Sequence, residues 1–339
     1  MTIENRAVRY QSLIPCTSAF IDTKSPGSDK KENFTIIGPG VAENPEQHVH
    51  ISIPHGFNIG GARQPAGCLN SQHSHLTEEV FVVHSGVWRF MSGVNADDGE
   101  ITLAAGDVIS IPTDIFRGFE CIEGIQEGER DNLGYLHAVL GGDDPGRVLW
   151  SPSVFEMAKE YGLVLLEDGS LIDKTKGESI PKGKHPMPVT TQPQIDSHRI
   201  VTSNELNSIV LRCSEFVWQN DTALAKFTGV EEAALIGGES KHEHISASKL
   251  DWSHGFVMRG LKLQSNASIP HHIRLEEEVV FVHKGSVEIT VDGESIQLSE
   301  GDNFTTPIGS VRGFENKHDT EAILYVTRGG NSPSTPQFI

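Results

Sequence analysis

The run Gly67-Cys68-Leu69-Asn70-Ser71-Gln72-His73-Ser74-His75-Leu76-Thr77-Glu78-Glu79, continuing Val80-Phe81-Val82-Val83-His84-Ser85 to Gly86, decides the reading of this chain. Side chains alternate faces along an extended strand, so His73 and His75 point the same way. Glu79 follows at an even spacing and, after a bend, converges on the same point. Two imidazoles and one carboxylate suit a divalent transition metal and leave coordination positions open. The competing reading is a pair of surface histidines beside an acidic patch. The spacing and the glycines that bracket the run weigh against it.

Position for position, the run resembles the first motif of the cupin superfamily: Gly, five residues, His-x-His, three residues, Glu, six residues, Gly. The second cupin motif runs Gly, five residues, Pro-x-Gly, two residues, His, three residues, Asn. The chain supplies Gly106 and Pro112, then Asp114, Arg117 and Cys121 where Gly, His and Asn would stand. The resemblance therefore implies a cupin that has lost its fourth metal ligand.

The chain also resembles itself. Laid on itself so that His55-Gly56-Phe57 falls on His254-Gly255-Phe256, it matches without a gap from His55–Gly86 onto His254–Gly285. Gly61 meets Gly260, His73 meets His272, Glu78-Glu79-Val80 meets Glu277-Glu278-Val279, and Val83-His84 meets Val282-His283. After a shorter hairpin in the second copy, Gly106-Asp107 answers Gly301-Asp302 and Pro112 answers Pro307. Arg117-Gly118-Phe119-Glu120 answers Arg312-Gly313-Phe314-Glu315. Both copies close on an apolar strand ending in Gly-Gly, at Tyr135–Leu140 and Ile323–Arg328. A tandem duplication follows, and the resemblance becomes one to the bicupins.

At 339 residues the chain suits two domains rather than one. Within each copy the runs are short, β-branched and aromatic, with Gly, Pro, Asp and Asn between them. Asp292-Gly293 between two alternating runs is a hairpin signal. The fold class expected is all-β: two tandem cupin barrels (double-stranded β-helix, jelly-roll-like) joined by a short helical and irregular connector. The plan is an N-terminal arm over 1–40, barrel 1 over 41–147, the connector over 148–202 and barrel 2 over 203–335. In the connector, Ser151-Pro152-Ser153 opens a helix that Gly162 closes. In the arm, Lys24 to Lys31 reads as an exposed loop. With Glu79 facing inward, Phe81 and Val83 do the same. The outward Val80 and Val82 are also apolar, so that sheet is covered on both sides, by the other half or by a homodimer contact.

A formal charge of −19 argues against nucleic acid and anionic membrane surfaces as partners. No apolar stretch approaches a membrane span. The N-terminus carries no apolar secretory segment, and the four cysteines lack CxxC spacing, which points to reduced thiols and a cytoplasmic protein.

In barrel 1 the metal ligands are His73, His75 and Glu79. Fe2+ suits the two-His-one-carboxylate set best, and Mn2+, Ni2+ and Zn2+ tolerate it. Arg117 stands where the family places its last histidine. Two readings stay open: it anchors the anion of a substrate beside the metal, or it pairs with Glu79 and fills the metal's place. His137, on the closing strand, is a further candidate for substrate binding, against the plainer reading of a core histidine. In barrel 2 the equivalent positions are His272, Arg274, Glu278 and Arg312, a vestigial site in which Glu278 is neutralised by arginine. A small anion held by those arginines is the alternative.

These features point to a metal-dependent oxidoreductase, a dioxygenase acting on a small hydroxylated or acidic organic molecule, with Glu79 and Arg117 as catalytic residues. The alternatives are a metal-dependent isomerase or lyase, and a non-catalytic cupin that binds a small anion or sugar.

Overall fold

The computed structural model describes residues 2–128 and 130–339. It divides into two compact units. One comprises Ile14–Ser52 and Asn58–Val210. The other comprises Met1–Leu13, Ile53–Phe57 and Leu211–Ile339.

The unit holding the first sequence copy is built on two sheets. The five-stranded sheet runs Leu149–Trp150, Cys68–Ser74, Arg117–Glu123, Val87–Ser92, Gly99–Ala104. In the larger sheet Glu79–Ser85 lies between Val108–Ile111 and Arg130–Gly141, and the latter pairs with Phe57–Pro65. The alternation read from the sequence holds. Phe81 and Val83 join Phe90, Phe119 and Trp88 in an aromatic-rich core, with the Phe81 and Phe119 rings 5.0 Å apart. Val80 and Val82, on the other face, are fully buried as well.

The unit holding the second copy repeats the plan. Its six-stranded sheet runs Ala7–Val8, Asn303–Thr306, Glu278–Lys284, Ala322–Gly329, Phe256–Leu263, Val230–Ile236. Its five-stranded sheet runs Glu294–Ser299, Ser286–Val291, Val311–Glu315, Ser268–Ile273, Gln337–Phe338. The Asp292-Gly293 turn forms as expected: Val291 faces Glu294, and both turn residues take positive φ, 50° and 87°. The first strand of the chain belongs to this second unit. Ala7 and Val8 pair with Phe304 and Asn303, and Asp302 fastens the segment through the Tyr10 amide (2.9 Å) and Arg9 Nη1 (3.0 Å).

The connector helix spans Pro152–Glu160 with Pro at its start, and Gly162 follows with φ of 79°. Ser151 sits at the N-cap without a side-chain capping bond; its hydroxyl bonds that of Ser153 at 2.9 Å instead. The loop read as exposed over Lys24 to Lys31 is only partly so. Ser25, Ser28 and Lys31 are buried. Lys31 bonds Asp22, whose second carboxylate oxygen accepts from the Ser71 amide at 3.1 Å. A buried lysine with its counter-charge pins this segment to the strand that carries His73, which local composition does not reveal. All four cysteines are free. No helix among the described residues is long and apolar enough to cross a membrane.

Candidate metal centre

His73 lies near the end of the strand Cys68–Ser74, His75 just beyond it, and Glu79 opens the next strand. The intervening turn brings one ligand atom of each within 4.8 Å of the others. Among the described residues this is the one set of three such side chains that converges. All three are buried. His73 Nδ1 lies 2.6 Å from the Ser71 carbonyl. A carbonyl only accepts, so Nδ1 carries the proton and the Nε2 lone pair is left free, the arrangement that metal-binding histidines use. His75 Nε2 is 3.4 Å from Glu79 Oε2. Burial, and then the Arg117 charge, hold both imidazoles well below their usual pKa. They are neutral at pH 7, and the donor set fits a divalent transition metal.

Arg117 takes the place that the strand register gives it, opposite His73. It is fully buried. Its Nη2 donates to Glu79 Oε2 and its Nη1 to the His73 carbonyl at 3.2 Å. Burial pushes the Glu79 carboxyl up and the guanidinium opposes that shift. Of the two readings open from sequence, the ion pair with Glu79 is what forms. The guanidinium is not among the groups that line the cavity. Arg117 holds Glu79 from behind.

The cavity in front of these ligands measures about 70 Å³. His73, His75 and Glu79 line it together with Phe20, Phe34, Ile59, Phe81, Phe119 and Leu140. His137 is not in that wall. The closing strand pairs Leu140 with Glu79, Ala138 with Phe81 and His137 with Val82. Even-numbered residues therefore face the cavity, and His137 lies buried on the other face.

Sequence reasoning missed Trp150 and Glu43. The Trp150 ring packs on His73 at 5.2 Å between centroids, and its indole N–H donates to Glu43 Oε1 at 2.6 Å. Glu43 Oε2 accepts from the Ile21 amide at 2.9 Å, and the preceding Gly40, Val41 and Ala42 line the cavity. Neither residue sits in a motif, so no sequence signal marked them. Burial pushes the Glu43 carboxyl up to about 8, against the bonds from Trp150 and Ile21. A carboxyl raised in the folded state contributes stability at low pH that is lost as pH rises through the folded value. The urea midpoint of the wild type is expected to fall between about pH 5 and pH 8. Glu43→Gln should remove that part of the slope, and an unchanged slope would show that Glu43 titrates normally.

In the second unit the same positions hold a network of charges. Glu278 Oε1 accepts from Arg312 Nη1 at 3.0 Å and Oε2 from Arg328 Nε at 2.8 Å. Arg274 Nε lies 3.7 Å from Glu278, and its Nη2 bonds Glu243 at 2.9 Å. His272 keeps the tautomer lock of His73, with Nδ1 2.9 Å from the Pro270 carbonyl, but Arg274 replaces its histidine partner. The expectation that arginine neutralises Glu278 describes this arrangement. The anion alternative does not, because the carboxylate of Glu278 already satisfies two of the arginines. Arg328 and Glu243 were missed. Arg328 stands where the first copy has Leu140, and a charge in an apolar closing strand was the available signal.

Residues 261–328 match the family described as Cupin domain. The match falls on the copy that keeps only His272 of its motif histidines but retains Pro307, Gly309 and Asn316 of the second motif spacing. Asn316 Nδ2 donates to the carbonyls of Leu263, Gln264 and Thr320, a structural role. No curated protein matches the chain. Among solved structures, the oxalate decarboxylase–formate complex from Lactobacillus farciminis aligns at 12% identity and a TM-score of 0.58. The alignment covers 98% of this chain and 88% of that one. The oxalate decarboxylase from Bacillus subtilis at pH 4.6 aligns at 11% identity and 0.55, covering 98% and 78%.

Proposed function

We propose that the first barrel of this chain is a metal-dependent active site and the second a structural one, in a protein whose residues 261–328 match the Cupin domain family and whose fold is like that of solved oxalate decarboxylases. The observation that carries this is the convergence of His73, His75 and Glu79 beside a cavity, where the equivalent positions of the second unit carry ion pairs. The leading reading is an oxidoreductase, a dioxygenase of a small organic molecule, with Fe2+ on those three residues. Mn2+, Ni2+ and Zn2+ are the alternatives.

The metal, when bound, supplies Lewis acidity and, if iron, reactivity toward O₂. The protein's own groups do the rest. Ser71 fixes the His73 ring, and Trp150 packs against it. Arg117 engages Glu79 Oε2, which leaves Oε1 as the oxygen for a ligand or a proton. The aromatic wall excludes water from the reacting end.

The second reading is a metal-dependent lyase. The solved structures to which the chain is similar are named as decarboxylases, and a two-His-one-carboxylate set also serves metals that only polarise a carbonyl. Metal content is the first test. Wild type purified without chelator should hold about one divalent transition metal per chain, and His73→Ala/His75→Ala should hold none. Oxygen consumption during turnover then supports the dioxygenase, and turnover without oxygen supports the lyase. Metal absent from wild type, even after reconstitution, overturns both and leaves a binding protein.

A further inference from the structure

The cavity wall says more about what enters than the ligands do. Beyond His73, His75 and Glu79, its polar side chains are Asn33, Thr35 and Asn70, all neutral. Among the described residues no lysine or arginine lines it. The buried cations beside its wall are already paired: Arg117 with Glu79, Lys31 with Asp22, and Arg63, which lies over the Phe34 ring, with Glu32. The rest is aromatic and aliphatic. An acidic group can therefore be neutralised only where the metal ligands converge. A second carboxylate would lie among apolar groups such as Phe34, Ile59, Phe119 and Leu140 without a counter-charge, which disfavours its binding or forces its protonation. The same positions in the second unit show what charge compensation requires. There Leu140 is replaced by Arg328, and strand pairing with Gly61 and Gly260 sets Glu232 in the place of Asn33.

Resting on the metal-site reading, we propose that this cavity takes a small mono-anion with a hydrocarbon body and rejects dicarboxylates. The cavity of about 70 Å³ limits the occupant to a small molecule. A four- or five-carbon monocarboxylate is the simplest member of the class. This sets the chain apart from the oxalate decarboxylases whose fold it shares, since oxalate carries two carboxylates and no hydrocarbon.

The test compares butanoate with succinate, which have the same carbon count and differ by one carboxylate. Manganese binding is read first, by loss of the free Mn2+ electron paramagnetic resonance signal. Calorimetry on the Mn2+-loaded protein should then show butanoate binding about tenfold tighter or more. Leu140→Arg, which copies the second unit, should narrow or invert that preference. Equal or tighter binding of succinate to the wild type overturns the proposal, whether or not the variant folds. Failure to bind Mn2+ overturns the metal reading instead. The preference is then read on the metal-free protein with the neutral pair butanamide and succinamide, where equal or tighter binding of succinamide overturns the apolar class.

Discussion

Glu278→Ala is expected to cost about 3–5 kcal/mol and to unfold the second unit or bring it to the edge of unfolding. The carboxylate is fully buried and takes bonds from Arg312 and Arg328, with Arg274 Nε at 3.7 Å. Desolvation alone would raise its pKa, but the three guanidinium groups overcome that and hold it far below the carboxylate range. Removing it leaves Arg312 in the interior without a carboxylate partner and Arg328 with only Glu232, at 3.6 Å. Breaking a buried pair from one side is costly for that reason, whereas removing both sides together is often neutral. Urea denaturation followed by tryptophan fluorescence reads the loss, since Trp218 and Trp252 lie in that unit. Glu278→Gln should fall in the same direction, because it keeps the volume and loses the charge. Loss of less than about 1 kcal/mol in both variants would mean that water or another carboxylate compensates the arginines.

Arg117→His is expected to raise Mn2+ affinity on the order of a hundredfold or more. Two unit charges about 4 Å apart at an effective dielectric of about 20 interact by about 4 kcal/mol, and each 1.4 kcal/mol is tenfold. The guanidinium opposes a cation at the ligand cluster by repulsion and by competing for Glu79 Oε2. Histidine removes both effects and places an imidazole in register with His73. The metal-free variant should also lose stability, because Glu79 stays buried without its partner, and Mn2+ should restore it by linkage. Titration of the wild type and the variant with Mn2+, alongside thermal melts with and without metal, measures both effects. An unchanged affinity would mean that the cation does not sit where the three ligands converge.

Much of this was legible in the chain itself. The two-residue spacing of His73 and His75 fixes a shared face on any strand, and the even step to Glu79 returns to it. The internal match of the two copies, from His55 against His254 to the closing Gly-Gly pairs, required no coordinates either. Such features are local periodicities or self-similarities, and a one-dimensional string records them fully. Charge at Arg117 was visible, but its partner was not. An arginine beside a metal motif serves a ligand or a carboxylate equally well until the fold aims its side chain.

What the sequence by itself determined was the all-β class, the duplication, the convergent ligand trio and the eroded state of the second site. What only the tertiary structure decided was which side chains meet. It assigned Ala7 and Val8 to the second unit and turned His137 away from the cavity. It bonded Glu43 to the tryptophan that packs on His73, and closed the second site with Arg328, fifty positions from Glu278. These contacts join strands far apart along the chain, and their energies come from burial and from the pairing of desolvated charges. Neither is a property of any local stretch, so each exists only once the strands have taken their register.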